Sequence, residues 1–370
     1  MFRLFFIFFL SSYLYMDSQE IKFDKEKIQE RLEILNKKTP LDLVYNSSVE
    51  KHIKSYIYKG RTSISKMLSL TKYYFPIIEP ILDSYNIPLE LKYLPVIESR
   101  YNPTAKSPVG ARGMWQIMFN TAKEYDLIIS SYVDERMDVV KSTKAACEYF
   151  LESNSRFNDW TNSIASYNVG KYGILKAIKR SGGKENYWEF RPFLPKETRD
   201  YIPKLIAAIY IMNYAEEHNI FPSKEKNIFN DEIDTIHIKR QLNFKNLAKL
   251  IDLDEEAIKN LNPSFKISVV PKVDNRDFYL NLPIDKIEFL LANKDSLYNQ
   301  LDSLEEKLKY PAYEEMVKKI IYKIKPGDSM GKIASKYNCR IKDIMLWNDL
   351  KSTKIISGKS LKIYVNADYE

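Results

Sequence analysis

The stretch LPVIESRYNPTAKSPVGARGMWQIM, from Leu94 to Met118, decides how this 370-residue chain is interpreted. It contains one acid, Glu98, directly after the apolar residues Leu94 to Ile97. A loop rich in Pro, Ser and Gly follows, and a Trp-Gln pair stands near its end. An apolar setting disfavours the charged form of a carboxyl group, which keeps a general acid protonated near neutral pH. Taken alone, however, Glu98 is interpreted more simply as a solvated carboxylate at a helix end.

The residues on either side of this stretch predict helices. Charged segments with one apolar face occupy 20–75, and residues 119–230 continue as helix after helix. Two such faces are Val49, Ile53, Tyr56 and Ile57, and then Tyr201, Leu205, Ala208, Ile209 and Met212. Pro76, Pro80 and Pro88 separate the early segment from the one that contains Glu98, and Pro88 suits a helix start. Strand signals are scarce before residue 230, so this region is predicted to be mainly α.

The pattern changes after about residue 231. Near the C-terminus, an alternating strand over 321–325, a turn at Pro326-Gly327-Asp328, two short helices and a second strand over 361–365 predict a βααβ module. Residues 231–283 show a similar rhythm with weaker turns, which suggests a degenerate copy. The charged helical stretch between the two, 284–318, is interpreted as a linker.

Composition limits the classes of partner and cofactor. The net charge of +8 favours a polyanionic partner. No run of five or more Lys and Arg is present, so a nucleic-acid-binding domain is not expected. Cys147 and Cys339 stand far apart and indicate no disulfide framework. The three histidines, His52, His218 and His237, have no metal-ligand spacing, and we expect neither a metal nor a cofactor.

The first residues, MFRLFFIFFLSSYLYMDSQE, predict a signal peptide over 1–18. Arg3 precedes an apolar segment that is too short for a membrane-spanning helix, which needs about 20 residues. A retained membrane anchor is the alternative. No cysteine lies near this segment, so a lipidated N-terminal cysteine is not expected. These features predict export to the periplasm or cell envelope.

Three blocks of residues occur in an order that resembles a known family. They are Glu98-Ser99, SPVGARGMWQ over 107–116 and SYNVG over 166–170. They resemble the E-S, S-x-x-G-A-x-G-(L/M)-x-Q and A-Y-N-x-G blocks of the family 1 lytic transglycosylases, whose soluble-lytic-transglycosylase (SLT) fold is related to goose-type lysozyme. VDERMDVVKSTKAACEYF and PKETRDYIPKLIAA resemble the membrane-bound murein transglycosylase D type. The resemblance covers roughly residues 70–220.

The resemblance implies a lysozyme-like, all-helical catalytic domain followed by small βααβ modules. Residues 319–366 resemble a LysM module, which binds chains that contain N-acetylglucosamine, and 231–283 resemble the divergent LysM-like segment of this family. The expected order is a signal peptide (1–18), an N-terminal helical region (19–75), the SLT domain (76–225), a LysM-like segment (231–283), a charged helical linker (284–318) and a LysM module (319–366). The implied partner is the glycan strand of peptidoglycan, bound by a monomer.

The resemblance also implies the chemistry of the site. Protonated Glu98 would donate to the glycosidic oxygen between N-acetylmuramic acid and N-acetylglucosamine, with assistance from the muramyl N-acetyl group. Ionised Glu98 would then accept the proton of the C6 hydroxyl of the same sugar, which closes a 1,6-anhydro ring. The implied substrate-binding residues are Ser107, Met114, Trp115, Gln116, Tyr167, Asn168 and Tyr201.

The expected roles of these residues differ. Ser107 is expected near Glu98 or the N-acetyl group, and Tyr167 is expected to position Glu98. Two amides are expected to orient sugar amides and two apolar side chains to wall the cleft: Gln116 and Asn168, and Met114 and Trp115. Core packing is the alternative for Trp115. Two other functions stay open, a lysozyme-type hydrolase on the same fold and a noncatalytic peptidoglycan-binding protein.

Overall fold

The computed structural model describes residues 23–365 except 225–231, 275, 307, 315–317, 338 and 349. The predicted signal peptide therefore lies outside the described residues. The helices of residues 23–224, here called the helical domain, are α1 (Lys25–Asn36), α2 (Ser47–Tyr58), α3 (Arg61–Ser84), α4 (Leu94–Glu98), α5 (Phe119–Glu124), α6 (Val139–Phe157), α7 (Trp160–Val169), α8 (Lys171–Arg180), α9 (Tyr187–Phe190), α10 (Lys196–Arg199) and α11 (Tyr201–Asn213). The prediction of a mainly α region is confirmed.

The N-terminal helices share one hydrophobic core with the helices around Glu98. Val49, Ile53 and Ile57 are fully buried on one face of α2, as their spacing predicted. This face packs against α11, which lies more than 140 residues later in the chain. The described part of the predicted N-terminal region, 23–75, is therefore not separate, because its apolar residues complete the core of the helical domain.

Helix α3 runs without interruption through Pro76 and Pro80. The boundary expected between residues 75 and 76 consequently falls inside a helix. The physical reason is the apolar stripe of Tyr74, Ile78 and Leu82, whose burial continues on both sides of the prolines and holds the helix against the core.

Helix α11 is buried on every side, with Lys204 and Asn213 as its only residues outside the buried class. The five residues that the sequence placed on one face, from Tyr201 to Met212, are all buried, and the apolar residues between them are buried as well. The helix is central: α2, α4 and α7 all pack against it. Although α11 is apolar, no helix within the described ranges has the length and hydrophobicity needed to cross a membrane.

Residues 232–314 form a second body, here called the middle module, with its own core. Its elements are β1 (Ile233–Ile238), β2 (Leu242–Asn243), α12 (Phe244–Ile251), α13 (Glu255–Leu261), β3 (Val269–Val270), β4 (Phe278–Pro283), α14 (Ile284–Ala292) and α15 (Lys294–Glu305). Strand β1 pairs with β4, and β2 with β3, both antiparallel. The predicted linker 284–318 is corrected here, because Ile287, Leu290, Leu297 and Leu301 of α14 and α15 are buried in this core.

Residues 318–365, here called the C-terminal module, contain β5 (Lys318–Lys323), α16 (Met330–Lys336), α17 (Ile341–Trp347) and β6 (Ser360–Val365). Strands β5 and β6 pair antiparallel, and the predicted βααβ order is confirmed. One asparagine links helix to strand in each module. The amide of Asn348 donates to Ile344 and Lys362 carbonyls, and Asn262 does the same to Ile258 and Asn281. This shared contact supports the prediction that the middle module is a divergent copy.

A loop of the helical domain is inserted into the middle module. Tyr132 and Val133 are buried in the middle module's core, at 2% exposure each. Main-chain hydrogen bonds fasten the loop: Lys266 donates to the Tyr132 carbonyl at 2.8 Å, and Asp134 donates to the Ser264 carbonyl at 2.9 Å. The Tyr132 hydroxyl also donates to the carbonyl of Pro311. The two bodies are therefore packed together rather than joined only by a tether.

Candidate active site

Glu98 is the last residue of the five-residue helix α4. Leu94, Pro95 and Val96 bury this helix in the core, and Pro95 suits its first turn because its nitrogen has no hydrogen to leave unpaired. The helix ends because Arg100 and Tyr101 both adopt left-handed backbone conformations, with φ of 57°. The chain thus turns sharply after Glu98 and leaves its carboxylate at the end of a buried turn.

The Glu98 carboxylate accepts a hydrogen bond from the hydroxyl of Tyr201, the first residue of α11. Burial raises the pKa of Glu98 to about 7, although the Tyr201 hydrogen bond lowers it; the charge of Glu197 raises it and that of Lys204 lowers it. Burial and the charge of Glu98 hold the pKa of Tyr201 well above its usual value, so Tyr201 stays a donor. A carboxyl with a pKa near 7 can both give and accept a proton at neutral pH.

Tyr167 lies on α7 beside this pair. Its ring stacks on Phe150 at 5.0 Å between centroids, and its hydroxyl donates to the Trp115 carbonyl at 2.7 Å. Burial, followed by the charge of Glu98, raises the pKa of the Tyr167 hydroxyl well above its usual value. The structure therefore brings together Glu98, Tyr167 and Tyr201, which are separated by up to 103 residues in the sequence.

The loop from Ala105 to Ile117 is held by its own hydrogen bonds. Gln116 has a left-handed backbone, with φ of 49°, and its side-chain amide donates to the carbonyls of Gly113 and Ala105. The Ser107 hydroxyl accepts a hydrogen bond from the Ala111 N–H at 3.0 Å, so its contact is within the loop and not with the Glu98 carboxylate. The predicted residues Ser107 and Gln116 thus shape the loop in this structure.

Met114 and Trp115 are placed differently from the prediction. Both side chains have 0% exposure, and the Trp115 indole donates to the Thr143 hydroxyl at 2.8 Å inside the core. Their side chains therefore do not form an open wall of the cleft, and the core-packing alternative for Trp115 holds. Their backbone carbonyls face the site instead: the Met114 carbonyl accepts from the Ser99 hydroxyl at 2.7 Å, and the Trp115 carbonyl from Tyr167.

Asn168 is exposed at the end of α7, next to Tyr167. Its side-chain oxygen accepts a hydrogen bond from the Thr198 hydroxyl at 2.8 Å, which links α7 to α10 near Glu197.

As for metals, the described part of the chain contains no group of three His, Cys, Asp or Glu side chains that could hold an ion.

Sequence reasoning missed Arg136 as a residue that positions the loop. Its guanidinium forms two hydrogen bonds with the buried carboxylate of Asp134, at 2.9 and 2.8 Å, and donates to the Gly110 and Ile117 carbonyls. Two buried charges are tolerated because each satisfies the other. The sequence offered one signal for this pair, the acidic and basic residues that stand close together in VDERMD over 133–138.

We expect Tyr201→Phe to raise the pKa of Glu98 above about 7. The reason is that the lost hydrogen bond stabilises the ionised carboxylate, so its removal favours the protonated form. Carbon-13 NMR of the glutamate carboxyl groups, titrated against pH, measures the shift, and Glu98→Gln identifies the resonance. Tyr167→Phe is the matched control, because the Tyr167 hydroxyl donates to the Trp115 carbonyl instead. An unchanged or lowered pKa in Tyr201→Phe would show that this hydrogen bond does not control Glu98.

Three family descriptions match this chain in order. Residues 76–190 match the transglycosylase SLT domain, residues 232–299 match the LysM-like domain of the lytic transglycosylase MltD, and residues 322–363 match the LysM domain. The expected kinds of domain therefore follow one another as the sequence resemblance indicated.

Individual proteins are also similar. Membrane-bound lytic murein transglycosylase D from Escherichia coli (strain K12) is 28% identical over 283 residues, which are 75% of this chain and 60% of that protein. A putative tributyltin chloride resistance protein from Alteromonas sp. (strain M-1) is 34% identical over 131 residues, or 35% of this chain and 63% of that protein. The 70 kDa soluble lytic transglycosylase of Escherichia coli aligns at 20% identity with a TM-score of 0.34, over 50% of this chain and 33% of that structure. The chain thus spans less than two thirds of these relatives.

Proposed function

We propose that this chain, which has the SLT, MltD-type LysM-like and LysM domains of the membrane-bound lytic murein transglycosylase D type, is a peptidoglycan lytic transglycosylase. The observation that carries the proposal is the Glu98 carboxyl, with its pKa raised to about 7 by burial and its hydrogen bond from Tyr201. The substrate bond is the β-1,4 link between N-acetylmuramic acid and N-acetylglucosamine.

In the first step, protonated Glu98 donates its proton to the glycosidic oxygen as the bond to the anomeric carbon breaks. The muramyl N-acetyl group stabilises the positive charge at that carbon. Burial supports this step because it keeps a large fraction of Glu98 protonated at neutral pH. Tyr201 supplies a donor that holds the carboxylate in one orientation before and after it loses the proton.

In the second step, the Glu98 carboxylate accepts the proton of the C6 hydroxyl of the same sugar. The C6 oxygen attacks the anomeric carbon and forms the 1,6-anhydro ring, and Glu98 returns to its protonated form. The attacking group is part of the substrate, so proximity provides much of the rate and no second carboxylate is needed to activate water. A pKa near 7 suits a group that acts first as an acid and then as a base.

Met114 and Trp115, whose side chains lie in the core, contact no sugar in this proposal, whereas the other predicted residues have a role. Asn168 is exposed beside Tyr167 and orients a sugar amide, while Ser107 and Gln116 shape the loop that faces Glu98. The middle and C-terminal modules hold the enzyme on glycan strands. We assign the protein to the bacterial envelope as a monomer, where a positive net charge suits a polymer with free peptide carboxylates.

The hydrolytic alternative rests on one observation, the exposed Glu197, whose charge acts on Glu98. A hydrolase of this fold would use a second carboxylate to activate water. Mass spectrometry of products from purified sacculi separates the two reactions. We expect muropeptides with 1,6-anhydro ends. Reducing ends that are one water heavier would replace the transglycosylase proposal with a hydrolase, and the absence of any cleavage would favour a binding protein.

A further inference from the structure

A cavity of about 500 Å³ lies between the helical domain and the middle module. Helix α3 and the start of α6 form one wall, and β1, β4 and the end of α13 form the other. It shares no residue with the Glu98 site described above. Its volume lies within the range of about 300–1,000 Å³ that is typical of sites for small ligands.

The walls of this cavity are fixed relative to each other. The inserted loop around Tyr132 and Val133 crosses from one body to the other directly before the 3₁₀ turn at Glu135–Met137, which leads into α6. Main-chain hydrogen bonds from Asp134 to Ser264 and from Lys266 to Tyr132 hold this crossing. A ligand would therefore meet a preformed site and would not have to order the two bodies first.

The middle module presents the polar face of its β1–β4 ribbon to the cavity. Alternate residues of these strands, such as Ile236 and Leu280, are buried in the core of the module. The opposite face carries Thr235 and Tyr279, both exposed and both lining the cavity. Tyr279 is 52% exposed, and its ring stacks on His237 at 5.0 Å between centroids.

The opposite wall and the end of α13 add hydrogen-bonding groups. Burial raises the pKa of Tyr73 to about 12, so its hydroxyl stays neutral. The Asp138 carboxylate lies at the start of α6 and accepts a hydrogen bond from the Lys141 N–H through one oxygen. Asn260 lines the cavity, and its exposed amide makes no hydrogen bond to another residue in the described ranges.

Charge narrows the class of ligand. Among the residues that the structure describes, three carboxylates line the cavity, those of Asp138, Glu232 and Asp234, against the ammonium group of Lys72. An excess of negative charge disfavours phosphates, nucleic acids and sugars that bear free carboxylates. A neutral ligand with hydroxyl and amide groups and one apolar face matches the walls, because a tyrosine ring has an apolar body and neighbouring polar groups accept hydrogen bonds.

The geometry points to a second saccharide site, separate from Glu98, in which this cavity binds about two units of a neutral N-acetylated glycan. One sugar face lies on the ring of Tyr279. Thr235 and Asn260 contact hydroxyl and acetamido groups, and Asp138 accepts a hydrogen bond from a sugar hydroxyl at the opposite wall. A glycan bound here contacts the helical domain and the middle module at the same time.

Photo-crosslinking of the full chain tests this site. The probe is an N-acetylglucosamine tetramer with a diazirine at one end, and Glu98→Gln is present throughout so that cleavage cannot occur. Peptide mapping by mass spectrometry is expected to place crosslinks on β1 or β4 and on α3, and excess unlabelled tetramer is expected to remove them. Labelling of the C-terminal module serves as an internal reference for glycan binding elsewhere.

Two variants and one control complete the test. Tyr279→Ala removes the ring and is expected to raise by about tenfold the concentration of unlabelled tetramer that is needed to suppress the cavity crosslinks. Thr235→Trp fills the space and is expected to abolish these crosslinks. Both positions are exposed, so neither substitution disturbs a core. Tyr172→Ala removes another exposed tyrosine, on α8, and is expected to label like the parent. Crosslinks confined to other modules, or unchanged in both variants, would overturn the proposal whatever the sacculus assay shows.

Discussion

Glu98→Gln is expected to lower the rate of glycan cleavage by about a thousandfold or more. The amide has the shape of the carboxyl but can neither donate a proton to the glycosidic oxygen nor accept one from the C6 hydroxyl. The rate is measured as the release of 1,6-anhydro muropeptides from purified sacculi. Folding should be unaffected, since the substitution replaces a half-buried carboxyl by an amide of the same size, and circular dichroism checks this. Comparable rates for the variant and the parent would remove Glu98 from the mechanism.

Glu197→Gln is the matched variant, because Glu197 is the exposed carboxylate whose charge acts on Glu98. The parent enzyme should lose kcat/KM as the pH rises past about 7, since Glu98 then loses the proton that it must donate. Glu197 raises the pKa of Glu98, so its neutralisation should move this alkaline limb to lower pH while most activity remains. Loss of activity as severe as in Glu98→Gln would instead indicate two catalytic carboxylates and a hydrolase.

Gly113→Ala is expected to destabilise the helical domain by about 4 kcal/mol or more. Gly113 has φ of +85°, and a Cβ atom there would lie 1.7 Å from the backbone oxygen of Arg136. Backbone on both sides must move to relieve this contact. The movement would also displace the Met114 and Trp115 carbonyls, which accept the hydrogen bonds of Ser99 and Tyr167. Denaturant unfolding followed by circular dichroism measures the loss.

Gly110→Ala separates the two causes, because Gly110 lies in the same loop with φ of +89° but a Cβ atom there would have no neighbour within 4 Å. Only the left-handed backbone then opposes alanine, at a cost of about 1 kcal/mol. Similar losses in the two variants would mean that backbone conformation, and not contact with Arg136, makes Gly113 necessary.

The middle module packs on the helical domain, and this contact limits how far the two can move relative to each other. A linker over 284–318 would let the C-terminal module move independently of the rest of the chain. Instead, α14 and α15 belong to a core that also contains Tyr132 and Val133 of the helical domain. A glycan strand in the cavity between the two bodies would therefore be held at a fixed position relative to Glu98.

Several features of this protein follow from local patterns in its sequence. The stripe of Val49, Ile53 and Ile57 predicts the buried face of α2, because side chains at a 3.6-residue period share one face of a helix. The alternating residues near the C-terminus predict a strand pair and the turn between strand and helix. The apolar run before Glu98 made a desolvated carboxyl possible but favoured a solvated one when taken alone, and only the structure shows that burial raises the pKa of Glu98.

Other features depend on contacts between residues far apart in the chain, and only the tertiary structure decided them. Met114 and Trp115 turn their side chains into the core because Arg136 and the left-handed Gln116 set the path of an irregular loop, in which no period defines a face. Helix α11 is buried all round because α2, α3, α4, α7 and α10 pack around it. Tyr201 reaches Glu98 for the same reason, since a hydrogen bond across 103 residues requires the completed core to hold both ends in place.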